Sequence, residues 1–129
     1  MKRQVRVKII GRQEIEEVDK VEKELSASYY FRNKCHYLLF DENDFILRLK
    51  ASREEVILNS HTGKMIFDMD RETRTSYYTP YGCLEMEIDT RDIKIQKKED
   101  LIAINLYYKL SSAGEIISEN IVDIIIEPE

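Results

Sequence analysis

The chain has little of what usually lets a short stretch of sequence declare a chemistry. It holds two cysteines, Cys35 and Cys83, too few for a disulfide framework and without the paired spacing of a zinc site, so they read as reduced thiols. There are two histidines. His36, on a strand beside Cys35, reads as a cross-strand packing residue, and His61 as a solvated turn residue. A metal centre would need these four scattered side chains to converge, so no metal and no cofactor is expected. Cys83 follows Gly82, but a nucleophile elbow needs a strand, a turn and a helix, and this turn leads into a second strand. No catalytic residue emerges, and the chain is expected not to be an enzyme.

Long apolar runs are missing as well. Nowhere do ~18 apolar residues stand together, and the opening Met1 to Ile10 lacks a secretory core, so a cytoplasmic protein with no membrane partner is expected. There is no linker, repeat, low-complexity tract or βαβ alternation, and residues 1–129 read as one domain. Positive charge is also in deficit. Twenty basic against 25 acidic residues leave a net charge of -5. Although Lys2, Arg3, Arg6, Lys8 and Arg12 lie ahead of Tyr29, Tyr30 and Arg32, that balance argues against a nucleic-acid partner.

What the chain does have is period-2 alternation. Val5, Val7 and Ile9 alternate with Gln4, Arg6 and Lys8, the mark of a half-buried strand that Gly11 ends. Tyr29 to Arg32 and Cys35 to Phe40 flank Asn33-Lys34, a two-residue hairpin loop whose Asn tolerates positive φ. Phe45 to Lys50, Val56 to Leu58 and Met65 to Met69 follow as further strands between polar turns. Later, Ile102, Ile104, Leu106, Tyr108 and Leu110 form one face of a strand that Ser111 to Gly114 turns into Glu115 to Glu127. One segment conflicts with the rest. Ile15, Val18, Val21 and Leu25 recur near helical spacing in Glu/Lys-rich sequence, which locally favours a helix. The count comes to about ten strands in a meander, and a meander this long is expected to close, because closure removes exposed edges.

The stretch Arg74 to Ile88 carries the most detail. Pro80 presets φ for a turn that Gly82 can close as a three-residue loop, pairing Thr79 with Cys83. Outward from there, Tyr78 would oppose Leu84, Ser76 Met86 and Arg74 Ile88, on an apolar face turned inward. Glu85, Glu87 and Asp89 then lie on a solvated outer face. On the last strand, Ile116, Ser118, Asn120, Val122, Ile124 and Ile126 are expected to face in. Ile117, Ile121 and Ile125 are expected to face out, a strip that a second copy or another element would cover.

With those residues identified, the chain resembles the YwiB-like family, small bacterial proteins of unknown function with a calycin-like β-barrel. The resemblance rests on Tyr29-Tyr30, Asn33-Lys34, Tyr78-Thr-Pro-Tyr-Gly82 with Leu84 and Glu85, Thr90, and the long closing hairpin. It spans essentially the whole chain. It implies that residues 14–31 form a long bent strand in place of the helix, and that the barrel, calycin-like with about 8 to 10 strands, has a central cavity. The chain departs from the family where Asn59-Ser60-His61 stands in place of an expected Arg-x-Gly, so no pocket role for that arginine carries over. The family offers no catalytic residues to transfer.

The functional expectation is therefore a non-catalytic barrel that takes a small, partly apolar ligand in its interior. Arg74 would pair an anionic group, Ser76 and Tyr78 would orient it, and Ser118 and Asn120 would project further polar groups into the same cavity. The alternative is an interaction module or homodimer built on Ile117, Ile121 and Ile125.

Overall fold

Alternating apolar side chains can bury one face only if every strand finds neighbours, and here the neighbours are almost all adjacent in sequence. The computed structural model describes residues 2–13, 21–40, 46–60 and 63–129, apart from the side chains of 21, 46, 47 and 77–79. Among the described residues there are ten strands and no helix. They are β1 Arg3–Gln13, β2 Val21–Arg32, β3 Cys35–Phe40, β4 Ile46–Ala51 and β5 Glu55–Ser60, then β6 Gly63–Asp68, β7 Thr73–Thr79, β8 Gly82–Lys98, β9 Leu101–Ser112 and β10 Glu115–Pro128. They form one antiparallel sheet in the order β6-β5-β4-β3-β2-β1-β10-β9-β8-β7.

Two-residue turns drive this meander. Asn33 and Lys34 both take positive φ, 53° and 65°, between Arg32 and its partner Cys35, the conformation of a tight hairpin turn that matches strand twist. Because β1 pairs with β10 as well as with β2, the sheet curls round until its outermost strands, β6 and β7, meet. They meet through side chains. The Thr73 hydroxyl donates to the Ile66 carbonyl, and Thr75 Oγ1 donates to the Lys64 carbonyl at 2.7 Å. The two chains run so close that a Cβ on Gly63, whose φ is 146°, would come within 2.7 Å of the Ser76 carbonyl oxygen. The result is a nearly closed barrel with a hydroxyl-bonded seam.

The interior is filled through the middle of the barrel by Val5, Val7, Leu38, Leu49, Val56, Ile88, Ile102, Ile104 and Ile126, all essentially inaccessible to water. The expected inward face of β9 is thus observed for Ile102, Ile104 and Leu106. Near Thr90 the register of β8 against β9 shifts by one residue, a bulge that lets the seventeen-residue β8 bend around the barrel without breaking.

The helical spacing through Val21 and Leu25 does not give a helix, and the strand that the family resemblance implies is observed over the described part of the segment. Both residues lie in β2, where Leu25 pairs with Val7 and Val21 with Gly11. An isolated helix of this length is marginal in water, while pairing with β1 satisfies the backbone of 21–29 and half-buries Leu25. The rest of that segment, 14–20, lies outside the described residues, as do Phe45 and His61.

One expectation is corrected at the β7–β8 hairpin. Its loop holds two residues, Pro80 and Tyr81, so Thr79 pairs with Gly82 and every partner moves by one. Thr73 and Thr75 therefore face the interior opposite Ile88 and Met86. Arg74, exposed, and Ser76, half-buried, face outward opposite Glu87 and Glu85. The alternative register would bury the Arg74 guanidinium among apolar side chains. The observed one buries two threonine hydroxyls, which find carbonyl acceptors on β6.

On β10 a bulge between Ile116 and Ser118 reverses the expected inward position of Ile116, which is 59 % exposed beside Ile117 at 54 %. Beyond the bulge, Ser118, Asn120, Ile124 and Ile126 are buried as the alternation requires.

Candidate functional site

One end of the barrel is formed by the β2–β3 hairpin, the start of β1, the β4–β5 turn and the last residues of β8. A recess of about 870 Å³ opens there. Its placement follows from pairing alone. Because Arg32 pairs with Cys35, Phe31 pairs with His36 and Tyr29 with Leu38, so Tyr29, Phe31 and His36 share the inward face. Arg3 pairs with Tyr29, and Ile95 pairs with Ile104 on β9.

The floor is aromatic. His36 stands 4.8 Å from Phe31, ring centre to ring centre, and 5.9 Å from Tyr29. Tyr29 Oη lies 2.8 Å from His36 Nδ1. Burial, with Lys97 nearby, pushes the His36 pKa below the ordinary 6.5, and burial pushes the Tyr29 phenol above 10 against the opposing charge of Arg3. A neutral imidazole and a neutral phenol share this bond in either tautomer of the ring: the Tyr29 hydroxyl donates to Nδ1 when Nε2 carries the ring proton, and Nδ1–H donates to Oη when Nδ1 carries it.

The rim is basic. Arg3, Lys34, Arg53 and Lys97 line the recess together with one carboxylate among the described residues, Glu54. The Arg3 guanidinium lies over the Tyr29 ring at 5.2 Å, which holds it above the aromatic floor. Arg53 is carried by a tied turn: the Ser52 N–H donates to the Glu55 carbonyl at 2.8 Å, and the Glu55 N–H donates back to Ser52 Oγ at 3.2 Å. The Met69 N–H, donating to the Glu54 carbonyl at 3.0 Å, secures that turn against the one between β6 and β7. An apolar, aromatic floor under a cationic rim can hold a small molecule with an apolar body and an anionic head.

Of the residues read from sequence as a ligand site, Ser118 and Asn120 are buried inside the barrel, with Asn120 Nδ2 donating to Ser118 Oγ at 2.9 Å. They lie toward the opposite end from the recess. Asn120 pairs with Tyr108, and Tyr108 with Thr90. Thr90 Oγ1 is buried without a hydrogen-bond partner among the described residues. Arg74 and Ser76 are not brought to either place, and the side chain of Tyr78 lies outside the described part of the structure. Ile117, Ile121 and Ile125 face outward. Ile121 and Ile125 are half-buried, and between them in sequence Asp123 pairs with Arg12 at 3.2 Å and accepts from Asn105 Nδ2 at 2.6 Å.

Sequence reasoning did not gather Arg3, Tyr29, His36, Arg53 and Lys97 into one site. The hairpin at Asn33-Lys34 did contain the signal for its central part, since that turn alone puts Phe31, His36 and Tyr29 on one face.

With the geometry in place, comparison with known proteins decides the family. The family described as Domain of unknown function (DUF1934) matches residues 5–124. The chain belongs to that family. No curated protein matches this DUF1934 chain. Among solved structures it is similar to the crystal structure of the ywiB protein from Bacillus subtilis, at 18% sequence identity and a TM-score of 0.78. The alignment covers 99% of this chain and 93% of that one. At that identity the likeness establishes the fold, and the DUF1934 description leaves the activity open. No helix among the described residues is long and apolar enough to cross a membrane.

Proposed function

We propose that this barrel is a non-catalytic binding protein that takes a small, partly apolar anion in the recess at its β2–β3 end. The observation that carries this reading is the cationic rim of Arg3, Lys34, Arg53 and Lys97 above the Tyr29–His36–Phe31 floor. The rim arginines supply the anion contact that the sequence reading gave to Arg74. Thermal-shift measurements with a panel of aromatic and aliphatic carboxylates and phosphate monoesters, each beside its neutral amide or alcohol, test the reading. Anionic members should raise the melting temperature and their neutral counterparts should not. Arg53→Glu should remove the difference, and equal responses to both sets would count against it.

A second reading, self-association through the outward isoleucines, is favoured by the exposure of Ile116 and Ile117 beside the half-covered Ile121 and Ile125. Under it, Ile121→Asp should shift a dimeric sedimentation profile to a monomeric one with the barrel intact. A profile that Ile121→Asp leaves unchanged would exclude it.

A further inference from the structure

The outer face of β2 to β6 holds a second feature, separate from the mouth. Strand pairing lines up two parallel rows of side chains there. One runs from Tyr30 through Tyr37 and Lys50 to Ile57, and the other from Leu39 through Arg48 and Asn59 to Lys64. Two residues of strand, ~7 Å, separate the rows, and the open groove they frame is about 410 Å³. Tyr30 and Tyr37 stack with centroids 4.6 Å apart and planes 5° from parallel. Lys2 lies over the outer face of Tyr30 at 5.9 Å, and Lys50 over that of Tyr37 at 5.7 Å. Arg48, Lys50 and Lys64 are exposed, and no carboxylate is among the described residues lining the groove.

Stacked rings on β2 and β3 at one end of the groove, leading to exposed cations on β4 and β6, fit a chain that carries both flat groups and negative charges. We propose that this face binds single-stranded nucleic acid, with bases on the Tyr30 and Tyr37 rings and phosphates along Arg48 and Lys64. The lysines over the rings mark faces that already attract a cation or a π-system. A base entering there displaces the ammonium toward a phosphate. An acidic peptide would use the same cations but leave the stacked tyrosines without a role. The net charge of -5 does not forbid the contact, because Glu85, Glu87 and Asp89 on β8 and Glu119 and Asp123 on β10 lie outside the groove.

Fluorescence anisotropy with labelled oligouridine and oligothymidine, read against salt concentration, tests the proposal. Binding should appear at low salt and weaken with a log–log slope of about -2 to -3, the value for three or four phosphate contacts on a single strand. Tyr37→Ala should weaken it at least about fivefold and the pair Arg48→Glu, Lys64→Glu at least about tenfold. Arg91→Glu, the same charge reversal on exposed β8 surface, should leave it unchanged. Circular dichroism melting of each variant separates loss of binding from loss of fold. Absence of binding at low salt overturns the proposal. So does binding that Tyr37→Ala leaves intact while polyglutamate competes equally, the result expected of an acidic-peptide surface.

Discussion

His36 is the side chain whose titration reports most on the mouth. Its imidazole is held neutral by burial and by Lys97, so its pKa lies below 6.5. The unfolded chain therefore takes up the proton first as pH falls. The stabilising contribution is complete above the unfolded value and is lost as pH drops through the lower folded value. NMR titration of the His36 ring protons should place its midpoint below 6.5 in the free protein. Binding of a small anion at the rim should move that midpoint upward, because the anion favours the imidazolium. A midpoint that no anion moves would separate His36 from the binding site. Tyr108 shows the opposite sense in the alkaline range. Its ring packs on Phe67 at 4.6 Å, and burial pushes its phenol up to about 12. The unfolded chain gives up that proton near 10, so the contribution is complete below 10 and is lost as pH rises from 10 to 12. Ultraviolet titration should show one tyrosine ionising well after the exposed ones, and Tyr108→Phe should delete that late step.

At the scale of elements, the β6–β7 seam is where the barrel depends on single side chains. Thr75→Val keeps the shape but removes the hydroxyl that donates to the Lys64 carbonyl. It should lower stability by about 1–2 kcal/mol, while Thr75→Ser, which retains the donor, should lose less. Gly63→Ala adds a Cβ against the Ser76 carbonyl oxygen at a φ of 146° and should cost about 1–3 kcal/mol. Urea titration measures all three, and a neutral Thr75→Val would mean that the seam holds without the hydroxyl. Most of the strands were legible because period-2 alternation is local: Val5 and Val7 on β1 and Ile102, Ile104 and Leu106 on β9 needed no tertiary knowledge. The β7 face was not, for a reason worth one residue. Pro80-Tyr81-Gly82 is compatible with loops of two or three residues, and that choice decides whether Arg74 or Thr75 points inward. The Ile116 bulge was illegible for the same reason, since nothing in Ile116-Ile117-Ser118 marks where the ladder skips. At Leu25 the local helical spacing and the strand implied by the family resemblance disagreed, and the strand is observed because its β1 partner, remote in sequence, overrides a local pattern.

For the molecule as a whole, closure joins β1 to β10 and packs one continuous core around Ile104, Ile88 and Leu38. Ile104→Ala, in the middle of that core, should cost about 2–5 kcal/mol. The meander and its tendency to close were legible in the sequence, whereas the mouth was not. It takes Arg3 from one end of the chain, His36 and Arg53 from the first half and Lys97 from late in β8, and no spacing along the chain relates them. Only closure brings their charges to one rim, and the claim that they act together is the centre of this account. The most direct measurement is a two-dimensional amide NMR titration with the carboxylate or phosphate monoester that raises the melting temperature most. The predicted result is shifts concentrated at Arg3, Tyr29, Phe31, His36, Arg53 and Lys97, lost in Arg53→Glu. Shifts centred instead on Ser118, Asn120 and Thr90, or no shifts with any anion, would contradict it.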